Sequence, residues 1–134
     1  MKFLLLLFIS INFIHATVID DYLNALKIEA KKENIDFTNF DKSRGEKIFT
    51  SKHIGKRGKE VSCVSCHTND FTKKGENLFT GKIIEPLSIN VNPKRLSKSK
   101  SITKWLRRNF NDVYQREGSA LEKGDVLTYI INKE

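Results

Sequence analysis

The sequence contains few of the residues that usually bind metals or form crosslinks. Its 134 residues include two cysteines, three histidines and a single methionine, Met1. Two cysteines are too few for the multi-disulfide framework of a small secreted domain. A zinc site would need two further ligands beside them, and no other cysteine is present. A thioredoxin-like C-x-x-C pair would require a surrounding βαβ pattern, which the sequence does not show.

The two cysteines belong to one short motif. Cys63, Cys66 and His67 form C-x-x-C-H within the stretch SCVSCHTND. This spacing is typical of the covalent attachment of a c-type haem, in which the histidine binds one face of the iron. We therefore predict one covalently attached haem c, held by Cys63 and Cys66 and ligated by His67.

The N-terminal segment predicts export. Residues 1–16, MKFLLLLFISINFIHA, combine an early lysine, an apolar run and a final small residue, Ala16. This order is typical of a secretory signal peptide, here cleaved after Ala16, and it predicts a periplasmic protein. Retention of the segment as a membrane anchor is the alternative, although the apolar run is shorter than the roughly 20 residues of a spanning helix.

The protein is strongly basic, with a formal net charge of +8 at pH 7. A solvated basic surface is the simplest interpretation of this charge. The functional alternative is an acidic redox partner, because opposite electrostatic fields speed encounter and fix orientation. Export argues against nucleic acid as a partner.

Helical periodicity first appears in residues 18–32. The connection that follows, residues 34–40, breaks this pattern and carries Phe37 and Phe40, which we expect to pack on the main domain. The chain is therefore predicted to comprise a signal peptide (1–16), an N-terminal helical extension (17–40) and a cytochrome c haem domain (41–134).

Two S-x-x-E sequences predict helix starts in the haem domain, because Ser and Glu at this spacing form a capping box. They are SRGE at 43–46 and SALE at 119–122, and the second opens the last helix. Between them, periodicity predicts a third helix, which Ser99 or Ser101 would cap and which carries the sequence ITKWLRRNFNDVY.

The remaining segments predict loops, so the fold class is all-α. Residues 53–62 indicate a surface loop, and residues 69–99 show no sustained period. A loop as long as 69–99 is unusual unless it has something to pack against. A haem supplies that surface.

Gly45 lowers the stability of its helix, so we expect another helix to approach it closely.

The candidates for the ligand on the second face of the iron can be reduced by elimination. Electron-transfer cytochromes commonly place a Met sulfur there, but Met1 leaves with the signal peptide. His53 is the one histidine that remains besides His67, and it lies at the edge of a basic loop. A lysine would need a large pKa shift to bind as a neutral amine. An open site and a weak oxygen or nitrogen donor are the other options.

The helix that contains KWLRRNFNDV offers one such weak donor. Trp105 and Asn109 are four residues apart and share a face of this helix. Leu106, Phe110 and Val113 form the neighbouring apolar face, which we expect to turn inward. Asn competes for backbone hydrogen bonds inside helices, so Asn109 is either a surface residue at the solvent edge or a functional one.

The chain resembles the sphaeroides haem protein (SHP) family of oxygen-binding cytochromes c. The resemblance covers roughly residues 20–131 and is carried, in order, by the stretches FDKSRGEKIF, GKRG, CVSCH, GKIIEPLSINVNPKRL, KWLRRNFNDV and EKGDVLTYI. It extends much further than C-x-x-C-H, which is common to all c-type cytochromes.

The resemblance implies a class I cytochrome c-like fold with an extra N-terminal helix and long haem-packing loops. In that fold the first and last helices of the haem domain cross closely, with Gly45 and Phe49 on the first and Tyr129 on the last. Pro86 resembles a loop proline near His67, whose ring N–H needs an acceptor. Together with Trp105, Pro86 is expected to contact the haem.

The resemblance also implies that Asn109 is the sixth haem ligand, bound to ferric iron and released on reduction. An amide is a hard donor that suits Fe(III) better than Fe(II). Asn111 is a nearby alternative on a different helix face from Trp105. Family members often carry cysteines near this asparagine that form a disulfide. Here Phe110 follows Asn109, and no cysteine is left for such a bond.

Three functions are therefore considered. The first is a redox-gated cytochrome that binds a diatomic ligand (O2, NO or CO) or transfers electrons to it. Its redox partners would be a dihaem cytochrome c and a membrane b-type cytochrome. The second is simple electron carriage. The third is a gas scavenger or sensor. Turnover as a terminal reductase is left open, because no acid–base pair marks a reductase site.

Overall fold

The computed structural model describes residues 10–133, with side chains from residue 18 onward. The first nine residues of the predicted signal peptide lie outside the described residues, and the rest of it is described in its backbone alone. The described helices are α1 (Ser10–Glu33), α2 (Lys42–Thr50), α3 (Val64–His67), α4 (Ser99–Tyr114) and α5 (Ala120–Ile131).

The helices are joined by a 3-10 turn (Lys56–Gly58) and by four short strands. They are β1 (His53–Ile54), β2 (Glu60–Val61), β3 (Gly75–Glu76) and β4 (Ile83–Ile84). The strands form two antiparallel pairs, in which His53 lies opposite Val61 and Gly75 lies opposite Ile84. The helices dominate, so the all-α prediction is confirmed. The two-residue strands were not predicted, because such short segments cannot show an alternating pattern.

Helices α2 and α5 cross at Gly45. A β-carbon at position 45 would lie 2.9 Å from Tyr129 Cβ and would clash with the Asp125 carbonyl oxygen. Phe49, one turn further along α2, packs on Tyr129 with ring centroids 5.6 Å apart. The expectation that Gly45 admits a close helix is therefore confirmed.

Helix α1 extends from Ser10, well before the predicted start at residue 18. Leu26 and Ala30 are buried in the main core. The Glu33 carboxylate accepts a hydrogen bond of 3.1 Å from the backbone N–H of Ala120, at the start of α5. The extension therefore packs on the same core as the remaining helices, while the boundary at residue 40 stays a prediction.

The connection between α1 and α2 packs as expected. Phe37 is buried, and its ring centroid lies 5.1 Å from that of Phe40. The Phe40 ring fills the space that a β-carbon at Gly124 of α5 would need. These contacts confirm that both aromatic residues fix the connection to the domain.

Two of the predicted helix starts need correction. The N-cap of α2 is Asp41, whose carboxylate accepts from the Arg44 backbone N–H, so Ser43 already lies inside the helix. Helix α4 begins at Ser99, and its N-cap, Lys98, makes no side-chain cap. The capping box at Ser119 is confirmed, because the side chain and backbone bonds are both present.

Residues 69–99 connect α3 to α4 and turn some of their apolar side chains inward, while Leu78, Ile83 and Val91 are exposed. Phe71, Leu87 and Leu96 are buried in the core.

Within residues 10–133, no helix is both long enough and apolar enough to cross a membrane.

Candidate haem site

The C-x-x-C-H motif lies on the single helical turn of α3. The His67 backbone N–H donates to the Cys63 carbonyl at 3.0 Å, which closes the turn. A β-carbon at Gly75 of β3 would lie 3.0 Å from the Cys66 carbonyl carbon and 3.1 Å from His67 Cα. Strand β3 can therefore lie directly against the motif only because residue 75 is glycine. The two cysteines form no disulfide with each other, and both are half-buried.

Burial favours the neutral forms of His67 and Cys63. It lowers the pKa of His67 to about 4, with a smaller contribution from the positive charge of Arg95. Burial also raises the pKa of Cys63 to about 12, and the neighbouring Cys66 adds to this effect. Neutral imidazole is the form that binds metals.

His67 is only 9% exposed, and its Nδ1 atom is buried without a hydrogen-bond partner among the described residues. Its ring lies near that of Phe49, with centroids 6.0 Å apart. An orphaned buried nitrogen is costly in a protein interior. The arrangement therefore fits a ring whose orientation is completed by a bound group.

Helix α4 places Asn109 in the same crevice as the motif. Leu106, Phe110 and Val113 are buried, as predicted, and they orient the helix. The half-buried Asn109 then lines a crevice together with Cys63, Cys66 and His67. Residues far apart in the sequence are thus brought together as a haem ligand set would require.

The alternative Asn111 is placed differently. Its side chain is exposed, and Nδ2 donates to the Arg107 carbonyl of the same helix at 2.9 Å. Asn109 makes no such bond among the described residues, so its amide is available to the crevice. This difference favours Asn109 over Asn111 as a ligand.

Trp105 and Pro86 form a neighbouring cluster and are not among the residues that line the crevice. The Pro86 carbonyl accepts from Asn92 Nδ2 and from Arg95 Nε, both at 3.2 Å. The Arg95 guanidinium lies 4.8 Å from the centre of the Trp105 ring. The Pro86 carbonyl is therefore engaged by two donors other than His67, and the haem contacts of Pro86 and Trp105 stay predictions.

His53 does not line the crevice either. It lies in β1, and its ring stacks on Tyr114 with centroids 4.2 Å apart. The Tyr114 hydroxyl in turn donates to the Ile48 carbonyl at 2.7 Å. These contacts hold the His53 side chain between β1 and α4, outside the crevice, which argues against its use as a ligand.

The crevice contains residues that the sequence interpretation missed. Asn77, Phe79, Ile84 and Asp112 line it beside the predicted set. Asp112 had a detectable signal, because it lies three residues after Asn109 and seven after Trp105, on one helix face. Asn77 and Phe79 lie in the connection between β3 and β4, and Ile84 lies in the two-residue strand β4. Segments this short show no periodicity that would indicate which side chains turn inward.

Comparison with known proteins identifies the family. A family model described as a domain of unknown function, DUF1924, matches residues 35–130. The cytochrome c-type protein SHP of Cereibacter sphaeroides is 38% identical over 90 residues, which is 67% of this chain and 69% of SHP. The chain belongs to the SHP-type cytochrome c family. Cytochrome c'' of Methylophilus methylotrophus is 34% identical over 89 residues, which is 66% of this chain and 62% of that protein.

Solved structures support the same assignment for this SHP-type cytochrome. Oxidised cytochrome c'' of M. methylotrophus matches with a TM-score of 0.77 at 28% identity, over 88% of this chain and 96% of that one. Oxidised SHP, an oxygen-binding cytochrome c, matches with a TM-score of 0.71 at 32% identity, over 89% and 96%. The predicted class I-like cytochrome fold is confirmed.

The family assignment also confirms the cofactor. SHP and cytochrome c'' are c-type monohaem cytochromes, and this SHP-type cytochrome carries one covalently attached haem c. The observed residues fit that group, because two free thiols, a neutral buried imidazole and a free amide converge on one crevice.

Proposed function

We propose that this protein is a periplasmic monohaem cytochrome c whose haem iron would be held by His67 and Asn109. Asn109 would hold the iron in its ferric form only, so that a small diatomic ligand such as O2 or NO would have access to the ferrous form. The observation that carries the proposal is the placement of Asn109 in one crevice with Cys63, Cys66 and His67. The lack of any Met after Met1 supports it, because the usual sulfur ligand is absent.

When bound, the haem would supply one-electron redox chemistry at its iron. Cys63 and Cys66 would hold it covalently through their sulfur atoms. His67 would hold the iron in both oxidation states, since its ring is buried and fixed on α3.

Asn109 is the conditional ligand in this mechanism. Its amide is a hard donor, which binds Fe(III) more favourably than the softer Fe(II). An amide carries no formal charge, so its release leaves no uncompensated charge in the crevice. The helix that carries Asn109 is anchored by its buried face and need not move for the side chain to rotate.

The crevice walls would restrict access of water to the iron. Val61, Phe79, Ile84 and Val113 are apolar residues that line it. These apolar walls favour a small neutral ligand over an anion, because an anion would lose much more favourable hydration on entry. Val61 and Val113 are buried, so these two walls belong to the core.

Two relatives agree with a conditional sixth ligand. SHP is an oxygen-binding cytochrome c, and the solution structure of cytochrome c'' concerns haem-ligand detachment. We propose that oxygen binding and haem-ligand detachment also apply to this chain. Electrons would come from a dihaem cytochrome c linked to a membrane b-type cytochrome, and the net charge of +8 suits an acidic partner.

Optical spectra of the holoprotein test this function. We expect a six-coordinate low-spin ferric state and a five-coordinate high-spin ferrous state that binds carbon monoxide. A ferrous state that stays six-coordinate, low-spin and indifferent to carbon monoxide would indicate simple electron carriage instead. Cell fractionation with N-terminal sequencing tests the export step, for which we expect a periplasmic protein that begins at Thr17.

A further inference from the structure

Asp112 is a nearly buried carboxylate beside the proposed sixth ligand. Its side chain is 14% exposed and lines the crevice with Asn109 and His67. It follows Asn109 by three positions on α4, so the two side chains are neighbours on one helix face. An almost buried carboxylate needs a charged partner to offset its lost hydration.

Lys56 supplies that partner. Its Nζ atom lies 3.2 Å from Asp112 Oδ1, and Lys56 is the one ionic partner of Asp112 among the described residues. The same Nζ lies 5.7 Å from the centre of the Phe79 ring, which belongs to the opposite wall. Lys56 therefore bridges the α4 wall and the wall that follows β3.

The position of Lys56 is built into the backbone. Gly55 is buried against α4, where a β-carbon would lie 3.0 Å from the Val113 carbonyl oxygen and would clash with that of Asp112. The side chain of Gln115 donates from Nε2 to the Ile54 carbonyl at 2.7 Å. These two contacts fix the backbone beside Lys56 on α4, although the Lys56 side chain itself is half exposed.

We propose that Asp112, held in place by Lys56, is a positioning residue that lowers the reduction potential of the haem and favours the state in which Asn109 binds ferric iron, while the charge of Lys56 offsets part of this effect. The proposal rests on the function proposed above and assigns a role to two residues outside the ligand set. A carboxylate accepts hydrogen bonds only, and the Asn109 amide offers two N–H donors. Asp112 can therefore restrain the amide of its helix neighbour.

The charges act in opposite directions. The negative charge of Asp112 stabilises the additional positive charge of ferric iron, and the crevice screens this interaction less than water would. Lys56 offsets part of that effect. Removing Asp112 should therefore raise the reduction potential, whereas removing Lys56 should lower it. A merely structural role would not produce shifts of opposite sign.

Redox titration of four holoprotein variants tests the pair. In Asp112→Asn, which keeps the shape and removes the charge, we expect the ferric-to-ferrous ratio at a fixed potential to fall about tenfold, equivalent to a rise of about 59 mV. In Lys56→Gln the ratio should rise. The matched controls are Lys52→Gln and Glu60→Gln, because that ion pair is exposed on both sides at 66% and 62%. Each control should change the ratio less than twofold.

The ferric spin state separates this proposal from the assignment of the ligand. We expect a larger high-spin fraction in ferric Asp112→Asn than in the wild-type protein. The proposal is overturned if Asp112→Asn and Lys56→Gln move the potential in the same direction, or if neither exceeds the controls. If Asn109→Ala leaves ferric iron low-spin, the ligand assignment fails instead, and the potentials alone then decide the role of the charge pair.

Discussion

Gly45 in α2 lies so close to α5 that a β-carbon at position 45 would be 2.5 Å from the Asp125 carbonyl carbon. This contact sets the crossing of the two helices that enclose Phe49 and Tyr129. Phe49 in turn lies 6.0 Å from the His67 ring, measured between ring centroids. The crossing thereby connects the core of the domain to the proposed proximal ligand.

Gly45→Ala should therefore destabilise the protein, although alanine is the better helix former. The gain in helix propensity is about 1 kcal/mol. Forcing α5 away costs more, because overpacked cores lose typically 1–3 kcal/mol and close backbone contacts cannot relax easily. We expect a net loss of about 2 kcal/mol in the free energy of unfolding, measured by denaturant titration of the holoprotein. Lys47→Ala, on the exposed face of α2, is the control, and equal stability of the two variants would contradict the prediction.

The buried carboxylate of Asp125 is expected to contribute strongly to stability. Arg44 donates to it from Nε at 2.7 Å and from Nη2 at 3.0 Å, and the Asp41 backbone N–H donates at 2.7 Å. Asp125→Asn removes the charge and turns an amide N–H₂ toward a donor. Because hydrogen bonds to charged groups contribute about 1.5–3 kcal/mol, we expect a loss of about 2 kcal/mol in thermal or denaturant unfolding. A loss no larger than that of the exposed Glu60→Gln would show that the pair is dispensable.

Glu122 makes the start of α5 sensitive to acid. The Arg116 guanidinium donates two hydrogen bonds to its carboxylate, and the Ser119 backbone N–H donates a third at 2.9 Å. These partners, Arg116 first, lower the pKa of Glu122 below its ordinary value of 4.5. A lowered pKa in the folded state stabilises the protein above the unfolded pKa, and this stabilisation is lost as the pH falls through the folded pKa.

The test compares Glu122→Gln with the wild-type protein as a function of pH. At neutral pH the variant should be less stable by about 1 kcal/mol, which is typical of a lost cap. The difference should shrink as the pH falls below about 4.5. Glu117→Gln is the control, because Glu117 is 58% exposed where it pairs with Lys123. A difference that is constant from pH 7 to pH 3 would argue against the electrostatic explanation.

The residues of α4 show what the sequence can predict. The helical period alone indicated that Leu106, Phe110 and Val113 face inward and that Asn109 lies beside that face, and the structure agrees. Periodicity is a local property, so it survives without knowledge of the partner elements. That Asn109 should be a ligand came from the family resemblance, since spacing alone left a surface asparagine equally acceptable.

The start of α2 shows where local signals are insufficient. Asp41 and Ser43 are both good N-cap residues, and the S-x-x-E spacing favoured Ser43. The structure uses Asp41, whose backbone N–H is also held by Asp125 from α5. A tertiary contact chose between two acceptable local solutions. The same reason explains why the Lys56–Asp112 pair was missed, because it joins a loop to a helix far along the chain.

The central claim, that Asn109 binds ferric iron opposite His67, is tested most directly by the ferric absorption spectrum of Asn109→Ala. We predict that this variant becomes high-spin, while Asn111→Ala and His53→Ala stay low-spin like the wild-type protein. A low-spin ferric Asn109→Ala together with a high-spin His53→Ala would contradict the account and make His53 the sixth ligand.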